Sequence, residues 1–173
     1  MKNKVTLIPQ FWLAALAFAM LGLVGTAVAQ DTAASGSKSS SLSTTDKTFM
    51  KKAAKGGAME VAMGKIAEQN GQSDDVKSFG KRMVTDHSKA NDELKSIAEK
   101  KNVTLPSKEP TVKWNSDKAY IDMMVKDHEK DLAEFQDEAK NGSDPDVKKF
   151  ADDTAKVIQE HLDLAKETQG KLK

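Results

Sequence analysis

Cysteine is absent from this chain of 173 residues. Disulfides, thiolate metal ligands and a lipid-modified N-terminal cysteine are therefore excluded. No block of lysine and arginine stands out, so the sequence carries no electrostatic footprint for nucleic acid. No serine lies in a recognisable nucleophile motif, and without cysteine no nucleophilic constellation emerges. Proline is sparse, with Pro106 and Pro110 close together in one short segment. Histidine is scarce: His87, His128 and His161 are all there are.

The N-terminus has its own pattern. Lys2 and Lys4 precede an apolar run from Phe11 to Val24, and Ala27-Val28-Ala29 forms a small-x-small cleavage site before Gln30. Residues 1–29 therefore read as a secretory signal peptide, and the run is short for a membrane span of ~20 residues. The expected location is periplasmic or secreted, with outer-membrane association left open, and no stable membrane span is expected after cleavage. Removing the two lysines takes the formal charge from +1 to −1, so the mature chain is nearly neutral. Residues 30–45 are rich in Ser, Ala and Thr and read as a flexible leader. Residues 46–173 have the size of one domain with one core.

That remainder is rich in Ala, Lys, Glu, Asp and Met, and it predicts an all-α fold of four helices. The first runs from about Asp46 to Asn70, where Asn70-Gly71 is expected to stop it with a left-handed residue. Ser73 caps the second, which ends near Asn102. Val103 to Asn115 is non-helical. Ser116 caps the third, which ends at Asn141-Gly142; Ser143 is the expected cap of the fourth, with Pro145 in its first turn.

Apolar residues recur at steps of three and four, as in helices packed at shallow angles. The second helix offers Val76, Phe79, Met83, Val84, His87, Ala90, Leu94 and Ile97; the third, Ile121, Met124, Val125, His128, Leu132, Phe135 and Ala139; the fourth, Val147, Phe150, Thr154, Val157, Ile158, His161, Leu164 and Thr168. In the first, Phe49, Ala53, Gly56, Glu60, Met63 and Ala67 form one seam. The ten residues from Asn70 to Phe79 resemble those from Asn141 to Phe150, which suggests two related hairpins. Thirteen extended residues reach ~43 Å, and a helix of about 27 residues is ~40 Å long. The link between the hairpins can therefore cross the whole bundle or loop at one end.

Each histidine follows an acid: Asp86-His87, Asp127-His128 and Glu160-His161. Apolar residues three and four positions earlier turn each ring inward and leave the acid to the side, where Asp86–Lys89 and Asp127–Lys130 are expected as solvated pairs. Glu60 is the only charge between Lys55 and Lys65. Counting 1.5 Å per residue from the turns puts Glu60 and all three histidines near mid-bundle. Asp131, one turn after His128, can join them. Imidazole and carboxylate suit zinc, copper, iron or manganese. The other reading is a structural polar layer, with Glu60 or the Tyr120 hydroxyl as hydrogen-bond partner. A di-iron site would repeat Glu-x-x-His, but Val84, Val125 and Ile158 stand three before the histidines.

The Gly56–Val61 stretch, Val76 through His87, Tyr120 through Glu129, and Gln159-Glu160-His161-Leu162 together resemble the bacterial family called domain of unknown function 4142. The resemblance covers about Phe49 to Ala165 and implies a ferritin-like, exported protein, an antiparallel four-helix bundle. The link between the second and third helices is shorter here than in many members. Three functions follow as expectations: envelope metal handling or stress response through His87, His128, His161, Glu60 and Asp131; a non-enzymatic envelope interaction module with a structural polar core and a protein partner yet to be named; and a metal-dependent oxidase.

Overall fold

The computed structural model describes residues 42–108 and 110–172. The signal peptide and most of the leader expected from the sequence lie outside them. Four helices follow in order: α1 (Thr44–Asn70), α2 (Asp74–Lys100), α3 (Asp117–Asn141) and α4 (Pro145–Lys171). No described helix is long and apolar enough to cross a membrane.

Local chemistry sets the helix ends. Ser43 and Asp46 form a reciprocal capping box on α1, so the helix begins inside the stretch expected to be leader. Ser73 and Ser116 cap α2 and α3 as predicted. The cap of α4 is Asp144 rather than Ser143: its side chain accepts from the Asp146 and Val147 N–H groups, with Pro145 at the first helical position. Gly71 is not left-handed either. Its φ is −56°, and its N–H closes on the Ala67 carbonyl at 2.9 Å. Glycine is needed there for space, because a Cβ would lie 2.7 Å from that carbonyl. The left-handed residue among those described is Asn102, φ 54°, just after α2 ends at Lys100.

α1 and α2 pack as one hairpin and α3 and α4 as another; α2 then faces α4, and α1 lies more loosely beside α3. The link crosses the bundle. Val103 and Leu105 pack on the apolar cluster of Phe49, Leu94, Phe135 and Phe150 near the start of α1. Val112 and Trp114 pack on the cluster of Met63, Phe79, Met83 and Tyr120 at the opposite end. α1 and α4 therefore run one way and α2 and α3 the other, the single-crossover arrangement of ferritin-like bundles.

Two acids tie the hairpins together. Asp117, in the first turn of α3, accepts from the N–H groups of Gln72 and Ser73 in the α1–α2 turn, at 2.7 to 3.1 Å. Asp46, in the first turn of α1, accepts from the Ser143 N–H in the α3–α4 turn at 2.8 Å. The two acids stand equally far before Asn70 and Asn141. The weak sequence repeat thus marks two hairpins that clamp each other's turns.

Small residues set how closely α1 approaches α2. A Cβ on Gly64 would lie 2.7 Å from the Gly80 carbonyl, and one on Gly80 would lie 2.8 Å from the Gly64 carbonyl. Gly57 faces Asn91, whose side chain would have to move to admit a Cβ, and it is Gly57, not Gly56, that is buried. Around Gly56 the nearest atom to an added Cβ is Asp131 Oδ2, 4.0 Å away. Gly56→Ala should therefore stabilise the fold by about 0.5–1 kcal/mol through helix propensity. Gly64→Ala should cost about 2 kcal/mol, because backbone must shift to admit the methyl group. Urea unfolding of the two variants checks the opposite signs.

Candidate metal centre

Glu60 on α1, His87 on α2, His128 on α3 and His161 on α4 are all buried and lie between the two apolar clusters. The three imidazole rings face one another, with centroids 5.1, 5.5 and 5.8 Å apart. One ring nitrogen from each lies within 4.8 Å of those of the other two.

One nitrogen of every ring is held. His128 Nδ1 is 2.9 Å from the Met124 carbonyl, so that N–H donates one helical turn back. His161 Nε2 is 2.8 Å from Asp86 Oδ2 and donates to it. His87 Nδ1 is 3.0 Å from Glu60 Oε2, and Glu60 Oε1 lies 3.6 Å from His128 Nδ1. The other nitrogens, His87 Nε2, His128 Nε2 and His161 Nδ1, are buried without a hydrogen-bond partner. Where the held nitrogen carries the proton, as at His128 against the Met124 carbonyl and at His161 against the Asp86 carboxylate, the other nitrogen carries a lone pair; at His87 this holds when Glu60 is ionised. Orientation of a histidine by a carboxylate or carbonyl behind it is the usual support of a metal-binding imidazole.

Burial sets the protonation states. It pushes His87 down to about 3, helped by His161 and His128. It pushes His128 down to about 4, again with His161 contributing. His161 is lowered by burial, with Asp86 working against the shift. Glu60 is raised well above the usual carboxylate range by burial, with Asp131 and Asp127 adding repulsion. A cation beside His87 and His128 would favour the ionised carboxylate instead.

The neighbouring acids do not all play the solvated part expected of them. Asp86 turns to Arg82, one turn before it, and across to His161, rather than to Lys89. Burial would raise it, but the hydrogen bonds from His161 and Arg82 prevail and lower it. Arg82 also reaches Glu160, spanning α2 and α4. Asp86 follows buried Met83 by three residues, which places it on the flank of the inward stripe; that spacing was the available sign. Asp127 and Asp131 line a cleft between α1 and α3. Burial, with Asp127 and Glu134, raises Asp131 to about 6, and it stands outside the three-nitrogen group. Tyr120 does not serve the histidines: its hydroxyl is buried without a partner, among Phe79 and Trp114.

A second buried acid pair had no counterpart in the sequence reading. Asp46 and Glu138 sit together near the start of α1. Burial and the Asp46 hydrogen bond push Glu138 up to about 7. Burial acts against Asp46 too, but the N–H groups of Ser143 and Ser43 outweigh it and hold Asp46 at about 2. Of the two, Glu138 is the carboxyl that holds its proton more tightly. Glu138 follows Phe135 by three residues, the same sign that marked Asp86.

The chain belongs to the family described as domain of unknown function DUF4142, which it matches over residues 31–168. No curated protein matches it. Among solved structures, a DUF305 fragment from Deinococcus radiodurans has a similar fold, with a TM-score of 0.64 and 11% identity over 76% of this chain and 99% of that one. At that identity the likeness extends to the all-α fold alone.

The lowered histidines set a pH dependence for metal-free protein. The unfolded chain takes up protons near pH ~6.5, whereas folded His87 and His128 do so only near 3 and 4. Their stabilising contribution is therefore present above ~6.5 and lost as pH falls toward those values. Glu60, Asp131 and Glu138, raised in the fold, act in the opposite sense, so a difference between proteins is the informative quantity. Between pH 6 and 5, wild type should lose about 1 kcal/mol more stability than His128→Gln. Equal losses, measured by urea titration, would mean an imidazolium paired with Glu60.

Proposed function

We propose that this is an exported, ferritin-like bundle that binds a transition metal through His87, His128 and His161 and serves metal handling or stress response in the cell envelope. The observation that carries the reading is the set of three buried ring nitrogens without partners. A polar layer kept for packing alone would satisfy its own members, since an unpaired buried polar group costs about 1–3 kcal/mol. A water molecule brings two hydrogens to three acceptors, whereas one cation accepts all three lone pairs. Metal–nitrogen bonds are ~2.0–2.1 Å, so nitrogens in tetrahedral arrangement stand ~3.4 Å apart. The present limit of 4.8 Å lies within modest ring movement of that spacing.

Glu60 and Asp86 hold His87 and His161, and the Met124 carbonyl holds His128. Asp131 is placed better to influence Glu60 than to bind an ion with the histidines. A di-iron oxidase needs several inward carboxylates on facing helices. Here Glu60 is the one fully buried carboxylate in contact with the histidines, which favours binding over oxidation.

Thermal unfolding of tag-free protein with zinc, copper, iron and manganese tests the site. At a hundredfold excess over its dissociation constant, a metal adds about 2.7 kcal/mol, roughly 10 °C in Tm. Each His→Ala variant should lose most of that gain. Asp86→Asn and Glu60→Gln should weaken affinity about 10- to 100-fold, as positioning partners do. If no metal raises the midpoint, or all three His→Ala variants keep the rise, a structural polar core is the better account.

Export rests on the Lys2-to-Ala29 pattern. Expression in a bacterial host should yield a soluble protein whose intact mass begins at Gln30. A full-length chain retained in the membrane would replace cleavage with anchoring.

A further inference from the structure

We infer that the three-histidine site takes a divalent ion in four-coordination and leaves one position open on the α1 side, where the cleft between α1 and α3 admits a small exchangeable ligand. This deepens the metal-binding reading and rests on it.

The donor count comes first. α2, α3 and α4 each supply one imidazole with an unpartnered nitrogen, and α1 supplies none. Glu60, the polar residue that α1 contributes, sits behind two rings, within 3.0 Å of His87 Nδ1 and 3.6 Å of His128 Nδ1. It therefore orients the rings from their outer edge and does not complete the ligand set. Closed structural sites take four protein ligands; three with a vacancy characterise sites that exchange a ligand.

Charge selects the ion. Three neutral imidazoles contribute none. Behind them stand Glu60 and Asp86, while Arg82 is shared between Asp86 and the exposed Glu160. Arg82 offsets one of these three acids, so two negative charges remain to balance a divalent cation. Glu60 is the buried one of these acids, so its charge in particular needs a cation beside it. Imidazole donors with no water-rich oxygen cage disfavour calcium and magnesium.

The two clefts that reach His87 differ. Between α2 and α4 lies a cleft of about 390 Å³, where Arg82 bridges Asp86 and Glu160 and Asp86 is bonded to His161, so a ligand entering there must displace those hydrogen bonds. Between α1 and α3 lies a cleft of about 370 Å³ that reaches both Glu60 and His87. Gly56 and Gly57 place no side chain in it. Its wall carries Lys52, Lys55 and Lys130 with Asp127, Asp131 and Glu134, a balance that turns away neither anions nor neutral molecules.

Cobalt(II) and azide test this. Tag-free protein loaded with Co²⁺ should show the intense visible bands of a four-coordinate ion, and azide should shift them saturably. Gly56→Phe, which extends a ring into the α1–α3 cleft, should slow azide binding roughly tenfold while Co²⁺ affinity holds. Gly56→Leu serves the same purpose if the larger side chain prevents folding. Glu93→Phe, in the α2–α4 cleft, should leave the azide rate unchanged. Failure to bind Co²⁺ at all overturns the metal-binding reading itself. Co²⁺ bound with the weak bands of a six-coordinate ion, or bands indifferent to azide, overturns the open position and leaves metal binding standing. Slowing by Glu93→Phe and not by Gly56→Phe or Gly56→Leu overturns the α1–α3 route.

Discussion

Both nitrogens of an imidazole ring carried into a helical bundle need partners, and that requirement organises the middle of this molecule. His87, His128 and His161 each meet half of it through Glu60, the Met124 carbonyl or Asp86. The other nitrogen of each ring is buried without a partner, in rings that each bring one nitrogen within 4.8 Å of the other two. Phe49, Leu94, Phe135 and Phe150 fill the core on one side of this layer, and Met63, Phe79, Met83 and Ile121 on the other. Those two apolar clusters bury the rings, and burial keeps them neutral at ordinary pH. Stability and ligand readiness therefore share a physical origin.

Bringing rings from three helices to one level requires a fixed axial register between the hairpins. Asp46 and Asp117 provide it, each accepting N–H groups in the other hairpin's turn. The crossing link adds apolar contacts at both ends of the bundle. Within the first hairpin, the backbone contact of Gly64 with Gly80 sets the separation of α1 and α2. Two other glycines, Gly56 and Gly57, leave α1 short of side chains where the cleft to Glu60 and His87 opens. Close packing on one face of α1 and openness on the other come from one glycine- and alanine-rich stretch.

Much of the fold was legible from spacing. Caps at Ser73 and Ser116, the end of α3 at Asn141 and the inward stripes through Val76, Met124 and Phe150 follow from short-range chemistry. Where local options were nearly equal, the structure chose differently. Asp144 displaced Ser143 as a cap, its carboxylate accepting from the Asp146 and Val147 N–H groups while the Ser143 N–H is held by Asp46. Gly71 keeps an ordinary φ, because the turn needs room beside the Ala67 carbonyl rather than a left-handed bend. The Asp46–Glu138 pair and the role of Asp86 depend on partners distant in sequence, so local spacing could set Asp86 and Glu138 beside the inward stripes but not name their partners.

By itself the sequence determined four helices, their faces and the inward turn of Glu60 and the three histidines, since helical periodicity is a property of each segment alone. Tertiary structure decided the crossover, because a link of that length permits either topology until Asp117 meets the α1–α2 turn. It also decided which nitrogens are held and which are free, because those partners come from different helices. It separated Asp131 from the histidine group, although both stand at similar depth, because α3 turns that carboxylate into the α1–α3 cleft. Depth along a helix can be counted from the chain. Direction toward a neighbour is fixed only once the neighbours have packed.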